Sequence, residues 1–268
     1  MSDAAALPLR ARSIVGMRVD ATSYADAATR ICSWAHAGES RYVCVAAVNN
    51  VIQSKDDAEF RHHMNGADLV TPDGMPLVWG LRILGIGEAS RVYGPHLTGV
   101  LCERAAREGI PVGFYGGTSE VLDALIAELE RTYPGLIVAF RHSPPFRAPT
   151  QAEEVAVRDD LERSGARIVF VGVGTPKQEQ WMARHRGRVG AVMVGVGAAF
   201  DFLAGTKPQA PSWMQRLGME WLFRLMHEPR RLWRRYLIGN PRFAILFAAQ
   251  LAGRSRIGTG SASGPAGA

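Results

Sequence analysis

The sequence predicts an α/β protein built on a mostly parallel sheet, and three observations support this prediction. Short apolar runs alternate with amphipathic segments along the first 211 residues, at the spacing of strand–helix–strand units. Several runs are continuously apolar, such as Tyr42–Val48 (YVCVAAV), which is typical of a strand buried on both faces of a parallel sheet. Beyond residue 211 the composition shifts to arginine and tryptophan. We therefore expect a Rossmann-like sheet flanked by helices, followed by a helical, basic C-terminal appendage.

Apolar runs and turn residues divide the body of the chain into strands and helices. The predicted strands are, in chain order, Ile14–Val19, Tyr42–Val48, a run ending at Val70, Pro111–Tyr115, Leu136–Phe140, Arg167–Val173 and Val189–Gly197. The predicted helices are Ser23–Ala37, Ala58–Asn65, a segment from Met75 to Leu81, Leu101–Glu108, Val121–Arg131, Glu153–Ser164 and a segment around Trp181. Ser90–Gly99 and the proline-rich residues 144–149 are expected to be loops.

The last part of the chain is predicted to form two helices and a tail. The first helix covers residues 212–227, and the second begins at Pro229 and is expected to stop at Gly239 and Pro241. The final residues are rich in glycine, serine and alanine, which is typical of a disordered segment. We therefore expect an α/β catalytic domain over residues 1–211, the appendage over residues 212–250 and a disordered tail over residues 251–268.

The composition indicates a folded chain, with 47% hydrophobic and 21% charged residues. Cys32, Cys44 and Cys102 are widely spaced, which fits buried thiols in a reducing cytoplasm better than disulfides or a zinc site. The N-terminal residues lack the apolar core of a signal peptide. The longest apolar run near the C-terminus, Phe243–Ala249, is far shorter than the ~20 residues of a spanning helix. We therefore expect a cytoplasmic protein that does not cross a membrane.

The net charge of +6 is distributed unevenly. Residues 1–211 hold 22 Lys and Arg against 23 Asp and Glu, whereas residues 212–268 hold 9 Arg against only Glu220 and Glu228. Arginines interleaved with aromatic and apolar residues are typical of a surface that lies on anionic lipid. An ordinary helix pair with solvated arginines is one alternative. A nucleic-acid-binding surface is another, which the near-neutral body and the lack of a known binding motif disfavour.

The stretch Ala67–Gly80 (ADLVTPDGMPLVWG) carries the main candidate residue. Its apolar run ends at Pro-Asp-Gly and a helical periodicity follows, so Asp73 is predicted at the carboxyl end of a strand. Open α/β folds bind their ligands at this edge of the sheet. Asp73 is therefore a candidate for catalysis, with the alternative that it only caps the following helix.

Further polar residues follow other predicted strands, namely Asn49, Asn50, Thr118, Lys177, Gln178 and Glu179. The glycines before Thr118 and the helix after it would suit a phosphate, or form a plain tight turn. Lys177 at a helix N-terminus is disfavoured by the helix dipole, and an anionic ligand would relieve that conflict. Gln178 has the alternative of capping the same helix. Asp201 is a further candidate for substrate binding, with a structural role as its alternative.

Common catalytic signatures are absent from the sequence, including HExxH, the Walker motif, GxSxG and clustered Cys and His ligands. Two Gly-x-Gly pairs, at 172–174 and 195–197, lack the third glycine of a dinucleotide fingerprint. No Asp-x-Asp is present either, so backbone amides and Arg or Lys would have to neutralise any bound phosphates. One carboxylate beside cations, such as Asp73 near Arg91, suits transfer of a group to a hydroxyl.

Five sequence blocks resemble, in the same order, those of the WecG/TagA/CpsF glycosyltransferases. They are LVTPDGMPLVW, SRVYGPHL, VGVGTPKQEQW, GVGAAFDFLAG and MEWLFRLMHEPRRLWRRYL, and the similarity runs from about Ile14 to Phe247. The resemblance implies an inverting transferase that uses neither metal nor cofactor. Its donor would be a UDP-sugar and its acceptor a polyprenyl-diphosphate-linked saccharide of cell-surface or exopolysaccharide synthesis. It also implies a peripheral position on the inner face of the plasma membrane.

The resemblance assigns roles to individual residues. Asp73 takes the place of the proposed general base, and Arg91 and Gln178 match a family arginine and glutamine. Three arginines match those of an appendage that folds over the active site and touches the membrane, namely Arg224, Arg231 and Arg234. They share one side of a helix pair if Pro229 leaves the helical phase intact.

One position departs from the family pattern, which commonly shows Thr-x-Asn where this chain has Ala47-Val48-Asn49-Asn50. Either Asn49 or Asn50 would take the role of the family asparagine, and we favour Asn49. The missing hydroxyl points to a donor that need not be UDP-N-acetylmannosamine, and the TPDGMPLVW block is closer to the exopolysaccharide branch, which includes glucosyl transfer. The alternative function is a non-catalytic UDP-sugar or lipid-binding scaffold of the same fold. The oligomeric state is left open, with a homo-oligomer among the alternatives.

Overall fold

A computed structural model describes residues 9–258 and contains one parallel sheet. The strands of the described chain are β1 (Arg10–Ile14), β2 (Met17–Ala21), β3 (Arg41–Ala46), β4 (Leu69–Pro72), β5 (Val112–Gly116), β6 (Val138–His142), β7 (Ile168–Gly172) and β8 (Val192–Gly195). β1 and β2 form an antiparallel hairpin. The other six strands form a parallel sheet in the order β4-β3-β8-β7-β5-β6. The predicted fold class is therefore confirmed.

Helices surround this sheet and continue to the end of the described chain. They are α1 (Tyr24–His36), α2 (Val48–Asp56), α3 (Ala58–Asn65), α4 (Met75–Ile83), α5 (Gly94–Glu108), α6 (Ser119–Thr132), α7 (Gln151–Ser164), α8 (Lys177–His185), α9 (Ala199–Leu203), α10 (Ser212–Arg216), α11 (Glu220–His227), α12 (Pro229–Trp233) and α13 (Gly239–Gly258). A π-helical turn, Arg234–Ile238, joins α12 to α13. α5 begins seven residues earlier than expected, inside the predicted loop Ser90–Gly99.

Consecutive residues of β3 face two different hydrophobic cores. Tyr42 and Cys44 pack with the hairpin and with α2, α3, α4, α7, α8 and α13, whereas Val43 packs with α1, α5, α6 and α9. All three side chains are buried. The strand is continuously apolar because helices cover both faces of the sheet. This covering leaves the carboxyl edge of the sheet as the place where polar side chains meet.

The predicted strand Ile14–Val19 is wrong, because the chain reverses within it. Val15 and Gly16 have φ angles of 52° and 87°, in the left-handed region, and they form the turn between β1 and β2. The apolar character of this stretch arises because Ile14, Met17 and Val19 all enter the core from the two arms of the hairpin.

The expected helix end at Gly239 and Pro241 is also wrong, since α13 begins at Gly239 and contains Pro241. The π-helical turn directly before α13 changes the hydrogen-bond spacing there. A prolyl ring that would clash in a regular helix interior is tolerated beside such a turn. Phe243 and Phe247 of α13 are buried in the core.

Polar contacts also attach α13 to the body of the protein. The Gln250 side chain accepts from the Val15 N–H (2.6 Å) and donates to the Ser13 carbonyl (2.8 Å). Arg242 forms two hydrogen bonds with Asp56, of 2.6 and 2.5 Å. Residues 251–258 are helical, which corrects the expectation of a disordered tail from residue 251. The rest of that predicted tail, residues 259–268, lies outside the described residues.

Candidate active site

Asp73 directly follows β4 at the carboxyl edge of the sheet. Its backbone N–H donates to the Ala46 carbonyl (2.8 Å), which extends the pairing of β3 and β4 by one residue. Gly74, and not Asp73, is the N-cap residue of α4, and no side chain caps this helix. The alternative that the Asp73 side chain only caps α4 is therefore wrong. Its carboxylate is left to interact with other groups.

Arg91 holds Asp73 through two contacts. Its Nη2 donates to Asp73 Oδ1 (3.0 Å) and its Nε donates to the Asp73 carbonyl oxygen. The same Nη2 donates to Glu220 Oε2 (2.7 Å), at the first position of α11. The guanidinium lies over the ring of Tyr93, 4.5 Å from its centroid. Arg91 thus links the sheet edge to the appendage.

The surroundings of Asp73 hold its pKa near neutrality. The pKa of Asp73 is raised to about 6, chiefly by burial, with the carboxylate of Glu220 acting in the same direction and Arg91 opposing both. Arg224 acts in the opposite direction. The Asp73 side chain keeps 23% of its accessible surface, so a hydroxyl group can still reach it. A carboxylate with such a pKa is suited to accept a proton near neutral pH.

Asp73 opens into a cavity of about 100 Å³ between the sheet edge and the appendage. The sheet edge contributes Ala47, Val48, Asn49, Gly74, Met75, Pro76 and Arg91 to its lining, and the appendage contributes Gly218, Glu220, Trp221, Arg224, Arg235, Tyr236 and Asn240. Ala47, which stands where the family pattern has threonine, is therefore part of this cavity. Of the predicted site residues, the structure brings Asp73, Arg91, Asn49 and Arg224 together here.

Arg235 is a member of the site that the sequence analysis missed. Burial lowers its pKa, and its Nε is buried without a hydrogen-bond partner among the described residues. Arg231 and Arg234 are exposed instead. Arg231 pairs with Glu228, and Arg234 lies 5.3 Å from the ring of Trp233. The prediction that Arg224, Arg231 and Arg234 share one helical side is therefore wrong. α11 ends at His227, and the π-helical turn alters the register after Trp233.

A buried polar network adjoins the cavity at the ends of β3 and β7. Glu179 Oε1 accepts hydrogen bonds from Asn50 (3.2 Å), Thr175 (2.9 Å) and Gln178 (3.1 Å). Asn50 Oδ1 in turn accepts from the Ala47 N–H (3.0 Å), in the first turn of α2. Burial raises the pKa of Glu179. Asn50 therefore has a full set of protein partners, whereas Asn49 lines the cavity.

Three other predicted residues lie outside the lining of the Asp73 cavity. Thr118 caps α6, since its Oγ1 accepts from the Val121 N–H (3.3 Å). It follows β5, which is four strands away from β4, or about 19 Å at the usual strand spacing. Lys177 is exposed at the first position of α8. Asp201 pairs with Lys207 (3.6 Å), which also pairs with Glu228 of the appendage (3.2 Å).

The fold and this cavity define an α/β protein whose sheet edge holds the Asp73 carboxylate beside Arg91, Arg224 and Arg235. The chain belongs to the glycosyl transferase WecG/TagA/CpsF family, whose pattern matches residues 12–257. The resemblance inferred from the sequence blocks is thereby confirmed, and the match includes the hairpin from Arg12 onward and the whole appendage.

Two further findings concern metals and membranes. Within residues 9–258 there is no group of three or more His, Cys, Asp or Glu side chains placed to hold a metal ion. No helix in the described part of the chain combines the length and the apolar character needed to cross a bilayer.

Proposed function

We propose that this chain is an inverting glycosyltransferase that transfers a sugar from a UDP-sugar to a polyprenyl-diphosphate-linked saccharide, without a metal ion, in cell-surface or exopolysaccharide synthesis. Family membership supports the transfer of a sugar. The observation that carries the proposed mechanism is the pairing of Asp73, a half-buried carboxylate with a pKa of about 6, with Arg91. Arg224 and Arg235 line the same cavity and can neutralise a diphosphate.

The proposed reaction is a single displacement at the anomeric carbon of the donor sugar. The acceptor hydroxyl oxygen forms a bond to that carbon while the bond from the carbon to the diphosphate oxygen of UDP breaks. Asp73 takes the hydroxyl proton, and UDP leaves with the bonding electron pair. The arginines stabilise the negative charge that develops on the leaving diphosphate. A single displacement inverts the configuration of the sugar.

The appendage contributes to this proposal in two ways. Glu220, Arg224 and Arg235 complete the cavity from above the sheet edge. Its outer surface carries exposed arginines and large apolar side chains, namely Arg230, Arg231, Arg234, Met226, Trp233, Leu237, Ile238 and Ile245. We infer that this surface rests on anionic lipid at the inner face of the plasma membrane, where a lipid-linked acceptor is found. Residues 1–211 and 212–250 would then act as the catalytic domain and its closing appendage.

The test is transfer of radiolabelled sugar from a panel of UDP-sugars to synthetic prenyl diphosphates that carry one or two sugars. Transfer in the presence of EDTA, with an inverted anomeric signal in the NMR spectrum of the product, is the expected result. Binding of a UDP-sugar without transfer would favour the non-catalytic scaffold. Transfer that depends on an added divalent ion, or that retains the configuration, would contradict the mechanism.

A further inference from the structure

A large open cleft adjoins the Asp73 cavity. Its volume is about 710 Å³, within the 300–1,000 Å³ range of small-molecule sites, and it is larger than one hexose ring fills. Arg91 and Met75 line both the cleft and the Asp73 cavity. A ligand in the cleft therefore lies directly beside the Asp73–Arg91 pair.

One face of α5 forms the floor of this cleft. Pro95, His96, Gly99, Val100 and Glu103 line it, and their spacing places them on one side of the helix. A Cβ atom on Gly99 would lie only 2.8 Å from the Tyr133 hydroxyl. The glycine thus allows the Tyr133 ring, which follows α6, to lie against α5 and close one side of the cleft.

The other walls combine aromatic rings with polar groups. Tyr24 and Tyr93 line the cleft, and the Tyr24 ring meets the imidazole of His96 edge-on, with centroids 4.4 Å apart. Gln209 and Gln215 add side-chain amides. Aromatic faces suit the apolar faces of sugar rings, and amides, imidazole and carboxylate suit their hydroxyl groups.

The charges of the cleft are unsuited to a diphosphate. Arg91 is the cation among its lining residues, and Asp73 and Glu220 already neutralise it. Glu103 adds a negative charge. Arg224 and Arg235 lie in the Asp73 cavity instead. A diphosphate therefore fits the Asp73 cavity, and an uncharged saccharide fits the cleft.

We propose that this cleft binds the saccharide of the lipid-linked acceptor, an inference that rests on the proposed transfer reaction. The terminal sugar of the acceptor presents its hydroxyl to Asp73 from the cleft, while the donor diphosphate lies beside Arg224 and Arg235. Gln215 lines the cleft and belongs to α10, which also carries the exposed side chain of Trp213; Leu217, directly after this helix, is exposed as well. We place the lipid end of the acceptor at this side of the cleft, where Trp213 and Leu217 offer exposed apolar side chains.

The test uses two cleft variants, His96→Ala and Val100→Trp, and the control His62→Ala. His62 is an exposed histidine on α3, outside the lining of the cleft. His96→Ala removes a hydrogen-bonding group, and Val100→Trp fills part of the cleft. We expect the KM for a disaccharide-linked prenyl diphosphate to rise about fivefold in His96→Ala, the ratio that corresponds to one lost hydrogen bond. Val100→Trp should raise the acceptor KM further. The KM for the UDP-sugar should stay within about twofold of the wild-type value in all variants.

Binding is measured separately from turnover by saturation-transfer NMR with free cellobiose, maltose and N,N′-diacetylchitobiose. We expect at least one disaccharide to bind the wild-type protein and the His62→Ala variant, and the signal to be lost in Val100→Trp. An equal rise of donor and acceptor KM in the cleft variants would overturn the proposal, as would an unchanged acceptor KM. If no UDP-sugar supports transfer, the proposed reaction fails while the NMR measurement still decides whether the cleft binds a saccharide. Absence of disaccharide binding in that case would overturn the proposal.

Discussion

Asp73 and Glu220 accept hydrogen bonds from the same nitrogen atom, Nη2 of Arg91, at 3.0 and 2.7 Å. The two carboxylates thus share one cation, and Glu220 is only 12% exposed. Glu220 belongs to the appendage, so the position of α11 determines how much negative charge surrounds Asp73. The protonation of the proposed base is therefore linked to the presence of the appendage over the sheet edge.

Asp73→Asn tests the proposed base. The amide keeps the shape of the side chain but cannot take up the hydroxyl proton, so we expect kcat to fall by about 10²–10⁴-fold with little change in the KM of the UDP-sugar. The matched control is Asp123→Asn, an exposed aspartate of α6, which should retain full activity. Full activity of Asp73→Asn would rule out Asp73 as the base.

The direction in which Asp73→Asn changes the stability of the protein can also be predicted. The pKa of Asp73 is raised from 3.8 to about 6 by folding, so this group favours the folded state below pH 4 and loses that contribution as the pH rises through 6. The amide carries no charge to bury. We therefore expect the melting temperature of Asp73→Asn at pH 7.5 to be equal to or above that of the wild type, as measured by differential scanning calorimetry. A lower melting temperature would mean that the Asp73–Arg91 contact stabilises more than burial of the carboxylate costs.

The pH dependence of kcat/KM tests the link to the appendage. Because the proposed base must be deprotonated, kcat/KM should rise with pH and level off above its pKa of about 6. Removing the charge of Glu220 with Glu220→Gln should lower the pKa of Asp73, and the acidic limb should move down by on the order of one unit. The control is Glu228→Gln, the other acid of the appendage, which pairs with Lys207 and Arg231 and should leave the limb in place. If the acidic limb of kcat/KM lies at the same pH in the wild type, Glu220→Gln and Glu228→Gln, the coupling of Glu220 to Asp73 is contradicted.

The sheet and the position of Asp73 at its carboxyl edge could be predicted because the relevant signals are local. A continuous apolar run such as YVCVAAV reflects burial on both faces, and a strand that ends in Pro-Asp-Gly positions Asp73 at the carboxyl edge. The same kind of local signal misled the prediction of one strand at Ile14–Val19. Both arms of the hairpin bury apolar residues, so the sequence looks like a single apolar run. Only the glycine at position 16 marked the turn.

The contribution of the appendage could not be predicted in the same way. Glu220 reaches Arg91 through the packing of α11 over the sheet edge, and nothing near Arg91 in the sequence indicates this contact. The sequence singled out Glu220 only as one of two acidic residues in a basic segment. Arg235 lines the cavity in place of the predicted Arg234 because a π-helical turn shifts the register of the side chains. The prediction from helical periodicity assumed a regular helix.

Asn49 and Asn50 are predicted to have separable roles. Asn50→Ala removes a donor to the buried Glu179 and the acceptor for the Ala47 N–H, so the free energy of unfolding should fall by about 1–3 kcal/mol. Asn49→Ala removes a group that lines the cavity and should change the free energy of unfolding by no more than about 0.5 kcal/mol. It should instead raise the KM of the UDP-sugar or lower kcat. Urea unfolding and kinetics of the two variants give the comparison, and a destabilised Asn49→Ala with an unaffected Asn50→Ala would reverse the assignment.

Removal of the whole appendage would be a poor test of membrane binding. Phe243 and Phe247 of α13 are part of the core, and Gln250 bonds to the hairpin, so a chain that ends before α10 would expose apolar surface of the body. Such a protein would associate with vesicles through this newly exposed apolar surface, whatever the role of the appendage. Point substitutions on the outer surface of the appendage avoid this problem.

The double variant Arg230→Gln/Arg234→Gln removes two exposed charges from that surface and leaves the cavity-lining Arg235 in place. Because each basic residue near an anionic surface contributes ~1 kcal/mol, we expect partitioning onto phosphatidylglycerol vesicles to weaken about 30-fold in sedimentation. The matched control is Arg131→Gln/Arg163→Gln, two exposed arginines at the ends of α6 and α7, which should sediment like the wild type. Binding should also weaken with added salt, since the interaction is screened. Equal sedimentation of the two double variants would mean that the charge of this surface does not hold the protein to the membrane.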